Sequence, residues 1–358
     1  MSVSDGSAIA HDIHHAVKIN LGNTWVALST LQKAIRSNHV ELALSATSFL
    51  SRHDPQRFWK RLPVIAMEDV GHGDLGIVAR VCWISGKRVW RAENGGDIQL
   101  SHDLVSALCA APKNRDACDL AVVADTEPRL QSTRDAMSVL PDDTLWDTFL
   151  DRSQDVAVRM LAAWYLAGTN RYPGAALHSR KGTPQTLVQL MCEAGVSGSV
   201  LDQVGLTLGR TREPMPVGLT TIAVVNRTGS SKCVENAVPR PIQIEGWPAY
   251  AFDYHTRPGR RAIRAFGRRF GFAEFVGKIG SDDARLKALA MAVFRVEGAR
   301  VDRRCVLDGV PDLVARADIA QVAGHGVPVD RAREFLDCVR ERLPALDEAR
   351  VDALREGW

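Results

Sequence analysis

Residues 55–73 have the sequence PQRFWKRLPVIAMEDVGHG. Apolar residues recur in this stretch every three to four positions, which is the spacing of one face of an α-helix. These residues are Phe58, Leu62, Ile65, Ala66 and Val70. Pro55 suits the first turn of a helix, and Gly71 and Gly73 favour its end. The stretch therefore predicts an amphipathic helix that packs its apolar face against other helices.

Similar patterns surround this helix on both sides. Asn23 or Thr24 is placed to cap a helix whose apolar face consists of Trp25, Leu28, Leu31 and Ile35. A further helix is predicted from about Glu41 to Leu50. Additional helices are predicted at 75–85, 99–111, 114–124, 143–167 and 184–194. The first part of the chain is therefore predicted to be helical.

The pattern changes after about residue 168. Segments 217–226 and 241–252 are rich in β-branched and aromatic residues between Gly, Pro and Asn, which predicts short strands or a hairpin. Helices are predicted again from about 258, from Asp282 to Phe294 behind a Ser281 cap, and at 330–342 and 345–355. The predicted fold class is mainly α, a helical domain followed by a smaller α+β domain. The expected organisation is an N-terminal arm at 1–19, a helical domain at 20–170, a linker region at 171–215 and an α+β domain at 216–358.

Composition narrows the class of protein. The sequence contains no uncharged apolar run of about 18 residues, the length that a membrane helix needs, and no secretory signal pattern. Its 7 cysteines are scattered and form no Cys-x-x-Cys pair, which favours reduced thiols over a disulfide framework or a zinc ribbon. His11, His14 and His15 lack further ligands, so we expect no metal and no cofactor. The expected location is the cytoplasm, away from membranes.

Three further stretches resemble, in order, the C-terminal region of the RarA/MgsA family, the bacterial replication-associated AAA+ ATPases. Residues 31–37, LQKAIRS, resemble the start of a helix in that family. Residues 66–74, AMEDVGHGD, are similar to its Ala-Ser-Glu-Asp-Ile-Gly-x-Ala-Asp segment. Residues 110–117, AAPKNRDA, are similar to its Ala-Pro-Lys-Ser-Asn-x-Ala turn. Together the three stretches cover about residues 20–125.

The resemblance implies a helical domain like the clamp-loader collar, which holds subunits of that family together as an oligomer. The family's motor precedes this region, whereas about 20 residues precede it here. The sequence also contains no Gly-x-x-x-x-Gly-Lys-Ser/Thr loop, because Gly205–Thr211 lacks both the lysine and the spacing. ATP hydrolysis therefore does not carry over with the resemblance.

Charge is distributed unevenly along the second part of the chain. Residues 240–304 hold 14 Lys or Arg against 7 Asp or Glu, whereas residues 305–358 hold 7 against 11. Six arginines and no acid lie between Arg257 and Arg269. In a helix capped by Thr256, five of these arginines share one face, opposite Ile263, Phe266 and Phe270. The five are Arg257, Arg260, Arg261, Arg264 and Arg268.

Three interpretations of the arginine face remain open. Arginine binds phosphate in a bidentate manner, so the face is suited to nucleic acid. Alternatively it is a solvated face, or it pairs with the acidic C-terminal helices through Asp330, Glu334, Asp337 and Glu341. Lys113 and Arg115 follow Pro112 and are also candidate phosphate contacts at a helix start, although the same pattern fits an ordinary helix entry.

Two acidic motifs have both catalytic and structural interpretations. In a strand, the side chains of Asp253 and His255 share a face, which suits a metal-dependent phosphate-ester hydrolase. Asp-x-His pairs are also common without a catalytic role. Glu68 and Asp69 point about 100° apart on an α-helix, which favours packing at a helix junction over chelation of one ion.

The favoured hypothesis is a non-enzymatic accessory protein of DNA replication or repair. It oligomerises, or docks on a replication or repair protein, through the helical domain and contacts nucleic acid through the arginine face. The alternatives are a hydrolase around Asp253 and His255, and an adaptor whose arginines meet an acidic protein partner.

The missing phosphate-binding loop generates the first prediction. We expect the purified protein neither to bind nor to hydrolyse ATP, because no backbone loop and lysine are present to hold the phosphates. Nucleotide binding and phosphate release measure this directly. ATPase activity that persists through successive purification steps would contradict it.

Overall fold

The computed structural model describes residues 23–196, 198, 200, 211–226, 230–236 and 238–355. The predicted N-terminal arm at 1–19, with His11, His14 and His15, lies outside these residues. So does most of the Gly205–Thr211 segment.

The first part of the chain is helical, as predicted. Its helices are α1 Thr24–Arg36, α2 Val40–His53, α3 Pro55–Ile65, α4 Leu75–Ser85, α5 Arg88–Glu93, α6 Gly96–Ala110, α7 Asp116–Thr126, α8 Gln131–Met137, α9 Asp142–Leu150, α10 Val156–Ala167 and α11 Pro184–Glu193. The later helices are α12 Met215–Val225, α13 Arg257–Phe270, α14 Ala273–Val276, α15 Asp282–Val293, α16 Leu313–Ala323, α17 Ala332–Glu341 and α18 Leu343–Arg355. The mainly α fold class is confirmed.

The helix predicted after Pro55 has two parts. α3 begins at Pro55, where the Asp54 side chain accepts a hydrogen bond from the Arg57 N–H at 3.1 Å. It continues into a π-helical turn, Ala66–Val70, and ends at Gly71 as predicted. Gly71 has a φ of +47°, and a Cβ there would lie 2.7 Å from the carbonyl oxygen of Asn114. A glycine is therefore required where the chain approaches this neighbouring turn.

The strand prediction for 217–226 was wrong, because this segment forms helix α12. Residues 215–222 are all buried, so the helix has no exposed polar face. Its sequence therefore shows no alternation of apolar and polar residues with the period of a helix. Gly218 allows close approach to α7, since a Cβ there would lie 2.6 Å from the carbonyl oxygen of Ala117. Thr220 and Thr221 donate their hydroxyl hydrogens to carbonyls one turn earlier. Burial therefore outweighs the β-propensity of the branched side chains.

The single helix predicted at 143–167 is also divided. α9 ends at Leu150 and α10 begins at Val156. Between them, the Asp151 carboxylate accepts hydrogen bonds from the backbone and hydroxyl of Ser153. The Asp155 side chain then accepts a hydrogen bond from the Ala157 N–H at 2.8 Å. Hydrogen bonds between side chains and the nearby backbone compete with the backbone hydrogen bonds of a helix, and here they end the first helix.

The β structure consists of two small antiparallel pairs in the described residues. The strands are β1 Ser231–Glu235, β2 Gln243–Ile244, β3 Trp247–Pro248 and β4 Arg303–Leu307. β2 and β3 form a hairpin within the predicted segment 241–252, with Glu245 and Gly246 both at positive φ. β1 pairs with β4, which the sequence did not indicate. A parallel bridge between Lys113 and Arg304 joins this pair to the turn before α7.

Two hydrophobic cores organise the helices. The first core contains side chains from α1 through α12, the β2–β3 hairpin and β4, among them Leu31, Phe58 and Trp164. The second core contains α13, α15, α17 and α18, among them Phe266 and Phe335. The sequence does not divide between the two cores at one point, because the first core also contains Cys305 and Leu307 of β4 and Leu313, Ala317 and Ala320 of α16. Among the described residues no helix is long and apolar enough to cross a membrane.

Candidate functional site

Residues 31–37, 66–74 and 110–117 meet at one buried carboxylate, that of Asp69. Arg36 from α1 donates from Nε to Asp69 Oδ1 at 2.7 Å and from Nη2 to Oδ2 at 3.3 Å. Arg115 donates to the same Oδ1 from the opposite side. The Asn114 N–H donates to the carbonyls of Asp69 and Val70 at 3.1 and 3.2 Å. All three charged side chains are buried, so their charges are balanced within the protein rather than by water.

Glu68 joins the same cluster. Its carboxylate lies 3.3 Å from Arg115 and 3.6 Å from both Arg36 and Arg61. Burial alone raises the pKa of Glu68, but the three arginines outweigh this effect and lower it to about 2. The helix-junction interpretation of Glu68 and Asp69 is therefore confirmed, since both side chains form ion pairs within the protein.

A second π-helical turn, Phe294–Gly298, connects this cluster to the second core. Arg36 donates to the carbonyl of Gly298, and Arg295 pairs with Asp119 of α7 at 2.7 Å and with Asp318 of α16 at 2.5 Å. The guanidinium carbons of Arg36 and Arg115 lie 5.7 and 5.8 Å from the ring centre of Phe294. The buried charges thus fix α1, α7 and the second core relative to one another.

A cavity of about 600 Å³ lies between α1, α3, residues 253–255, α15 and the second π-helical turn. Lys33 and Asp253 are at its wall, with 2.5 Å between the ammonium nitrogen and Oδ2. Lys33 also donates to the Tyr250 carbonyl at 2.6 Å and to Ser29 Oγ at 2.9 Å. Burial lowers the pKa of Lys33, and Asp253 offsets part of this effect. At the mouth, Arg57 lies over the ring of Trp25 at 5.0 Å.

The side chains of Asp253 and His255 lie in different environments, one hydrogen-bonded to α1 and the other exposed. Residues 253–256 form turns, so the expectation that both side chains share a strand face was wrong. Asp253 Oδ2 accepts from Lys33 and Ser29, and Oδ1 accepts from the His255 N–H at 2.9 Å. The carboxylate therefore anchors the start of α13 to α1, and the His255 side chain is exposed. Among the described residues no group of three His, Cys, Asp or Glu side chains could hold a metal ion.

The arginine helix forms as predicted. The Thr256 hydroxyl accepts from the Gly259 N–H at 3.1 Å, and Ile263 and Phe266 are buried on the inner side. Gly259 is needed at this point, because a Cβ there would lie 1.9 Å from the carbonyl oxygen of Asp253. The outer side carries four exposed arginines spaced three and four residues apart. They are Arg257, Arg260, Arg264 and Arg268.

The acidic helices do not neutralise this outer side. Within the described residues, Asp330, Glu334, Asp337 and Glu341 form no ion pair with those four arginines. Glu334, Asp337 and Glu341 pair instead with arginines close to them in sequence, Arg331, Arg340 and Arg342. α18 packs against α13, and its Glu348 pairs with Arg269 at 2.6 Å. Arg261 is half-buried, so the four exposed arginines make up the cationic face.

Lys113 and Arg115 are both buried, in contrast to the phosphate-contacting position proposed from the sequence. The Lys113 ammonium donates to the carbonyls of Leu108, Cys109 and Ala111 and so caps the end of α6. Burial lowers the pKa of Lys113 to about 8. The Arg115 guanidinium forms ion pairs with Asp69 and Glu68. Neither Lys113 nor Arg115 therefore belongs to the cationic face.

Sequence reasoning missed the partners that connect distant segments. Lys33 and Asp253 are separated by 220 residues, and Arg295 and Asp119 by 176. Buried Lys and Arg residues are uncommon unless paired, but nothing in a single sequence marks which of them are buried. No protein-family model matches the chain, and no curated protein matches it either.

The Asp69 cluster generates a stability prediction. Asp69→Asn leaves Arg36 and Arg115 buried with only Glu68 to balance them, so we expect the free energy of unfolding to fall by about 3–5 kcal/mol. Asp337→Asn is the control, because Asp337 and Arg340 are both about half exposed and an exposed pair contributes less than about 1 kcal/mol. Urea unfolding measures both variants. Equal losses in the two variants would contradict the assigned role of Asp69.

Proposed function

We propose that this protein is a nucleic-acid-binding accessory protein of DNA replication or repair, and that the cationic face of α13 contacts phosphates. The observation that carries the proposal is the absence of acidic partners for four exposed arginines among the described residues. Arg257, Arg260, Arg264 and Arg268 are all exposed and form no ion pair there. An acidic ligand from outside the chain would supply the missing negative charge.

The geometry of α13 is suited to a phosphate backbone. From Arg257 to Arg268 the helix advances by about 16 Å, at about 1.5 Å per residue. Phosphates along one strand of a duplex are separated by about 3.4 Å in rise, so this length covers several of them. Each guanidinium can bind one phosphate through two parallel hydrogen bonds. The face therefore favours sequence-independent backbone contact over recognition of base edges.

The second part of the proposal concerns residues 20–125, which we propose mediate self-association or docking on a replication or repair protein. Support comes from the resemblance to the collar-like domain and from the way its three stretches converge on Asp69. Exposed apolar side chains are also present in this region: Trp25, Val89 and Ile98 are 56%, 72% and 53% exposed. Tryptophan is enriched among the residues that dominate binding at protein interfaces, so Trp25 is the candidate anchor of this surface.

The nucleic-acid proposal is tested by the salt dependence of binding. With three or four phosphate contacts on duplex DNA, the logarithm of the binding constant should fall with the logarithm of salt with a slope of about −2.7 to −3.6. The Arg260→Glu, Arg264→Glu double variant should flatten this slope and weaken binding to all sequences equally. Fluorescence anisotropy with labelled duplex and single-stranded oligonucleotides measures both effects.

A charge-matched control separates the face from net charge. Arg80 in α4 and Arg88 in α5 are also exposed, so Arg80→Glu, Arg88→Glu changes the net charge by the same amount away from α13. We expect this control to bind as the wild type does, with circular dichroism showing that all variants are folded. Absence of wild-type affinity for DNA and RNA at low salt would favour the adaptor alternative and contradict nucleic-acid binding.

The docking proposal predicts association in solution. We expect light scattering of the full chain to give a mass above that of the monomer, or capture of a protein partner through residues 20–125. A specific interface buries more than about 1,000 Å². Val89→Asp with Ile98→Asp should weaken the association, whereas Val139→Asp, at an 81% exposed position outside the region, should not. A strictly monomeric protein that captures no partner would contradict the proposal.

A further inference from the structure

Two cysteines face each other across the β1–β4 pair. The antiparallel register places Cys233 of β1 directly opposite Cys305 of β4. Because the two residues are paired, their side chains lie on the same face of the two-stranded sheet. Cys233 is exposed and Cys305 is buried, so of the two residues Cys233 is the one that is open to solvent.

The hydrogen bonds of the ladder define the type of pair. The Asn236 N–H donates to the Asp302 carbonyl at 2.7 Å, and the Asp308 N–H donates to the Ser230 carbonyl at 3.1 Å. Hydrogen-bonded and non-hydrogen-bonded pairs alternate along an antiparallel ladder. Counting inward from either end, Cys233 and Cys305 form a non-hydrogen-bonded pair. The Cα atoms of such a pair are about 4.5 Å apart.

The backbone of Cys305 confirms this assignment, because its polar groups point away from β1. The Cys305 N–H donates to the Lys113 carbonyl at 2.8 Å, and the Cys305 carbonyl accepts from the Asn114 side chain at 3.0 Å. The Lys113 N–H donates to the Arg303 carbonyl at 2.7 Å. One edge of β4 is therefore hydrogen-bonded to the first core. Its other edge pairs with β1, and Cys305 is in a non-hydrogen-bonded position of that pair.

We propose that Cys233 and Cys305 are a covalent modification site, at which a disulfide-type oxidant such as oxidised glutathione forms a reversible cross-strand disulfide. A disulfide spans Cα separations of about 4.4–6.8 Å, and this pair lies at the short end of that range. The register therefore places the two Cα atoms at a separation that a disulfide can span. No other described strand pair places two cysteines opposite each other.

The exchange proceeds in two balanced steps. The Cys233 thiol loses its proton to solvent, and the thiolate attacks one sulfur of the oxidant, forming a mixed disulfide and releasing one thiol. The Cys305 thiol then loses its proton and attacks the Cys233 sulfur, which forms the protein disulfide and releases the second thiol. Two protein thiols are oxidised, and the oxidant is reduced to two thiols.

The surroundings favour this order of steps. Burial raises the pKa of Cys305, which makes it a poor first nucleophile, whereas Cys233 is open to the oxidant. A disulfide here would be exposed at Cys233, and exposed disulfides are the more readily reduced ones. The modification is therefore reversible by mild reductants. Its structural effect is to fix the exposed strand β1 to β4 and, through Lys113, to the first core.

The full-length protein tests this with oxidised glutathione as the probe. We expect the folded wild type to lose the thiols of both Cys233 and Cys305, and peptide mapping to find Cys233 joined to Cys305. Dithiothreitol should restore both thiols. Cys305→Ser should retain a glutathione adduct at Cys233, because no second thiol is available to displace it. Cys192→Ser is the control: Cys192 is also exposed, and its removal should leave the Cys233–Cys305 bond unchanged.

Several results would overturn the proposal. The first is a wild-type protein in which the Cys233 and Cys305 thiols both stay free at an oxidant concentration at which exposed Cys192 is modified. Another is a glutathione adduct that persists on Cys233 in the wild type as it does in Cys305→Ser. A third is a disulfide that joins Cys233 to any cysteine other than Cys305. Because Cys305→Ser alters a buried site, Cys233→Ser provides the second variant, which should retain the Cys305 thiol under the same conditions.

Discussion

The carboxylate of Asp69 is the constraint on which the arrangement of the first core depends. A charge with no access to water must be balanced by partners at short range, and removal of one partner costs several kcal/mol. Here the partners come from two other segments, Arg36 from α1 and Arg115 from the start of α7. The end of α3, α1 and the turn before α7 therefore cannot shift independently. Through the Gly298 carbonyl the same constraint reaches the second core.

Both π-helical turns lie at this charge cluster. The geometry of the first allows the adjacent residues Glu68 and Asp69 to share the same arginine partners, which α-helical geometry disfavours. Adjacent residues on an α-helix point about 100° apart, which argues against a shared partner for Glu68 and Asp69. In the wider Ala66–Val70 turn, Arg36 and Arg115 each contact both carboxylates. The Phe294–Gly298 turn supplies Arg295 to Asp119 and a carbonyl to Arg36. π-Helical turns are rare and often occur at functional sites, and these two carry residues of the buried charge cluster.

Local patterns predicted the helices whose one side is buried, and they also predicted their caps. Asn23, Thr256 and Ser281 each accept a hydrogen bond from a backbone N–H at the start of a helix. Helix α12 escaped prediction because it is buried on every side and so has no polar face to set its period. The β1–β4 pair escaped because its strands are far apart in sequence and one of them is exposed along its whole length. The candidate site shows the same difference between features set by local sequence and features set by long-range packing. The arginine helix is a local pattern and was predicted, whereas the burial of Lys113 and Arg115 depends on long-range packing.

The excess of basic residues in 240–304 does not by itself locate a binding surface. Buried, paired arginines and exposed arginines contribute equally to such a count. Arg295 belongs to this segment, yet it is buried and paired with Asp119 and Asp318. Its charge is cancelled within a few ångströms and adds little to the external field. Arg257, Arg260, Arg264 and Arg268 of α13 have no such partners in the described residues, and across their spacing of three and four residues their fields add. Four exposed arginines of this segment therefore lie together on one side of one helix. That helix is fixed to the first core by the pair between Lys33 and Asp253 at its start. The same distribution of charge that rigidifies the interior thus presents the cationic face in a defined orientation.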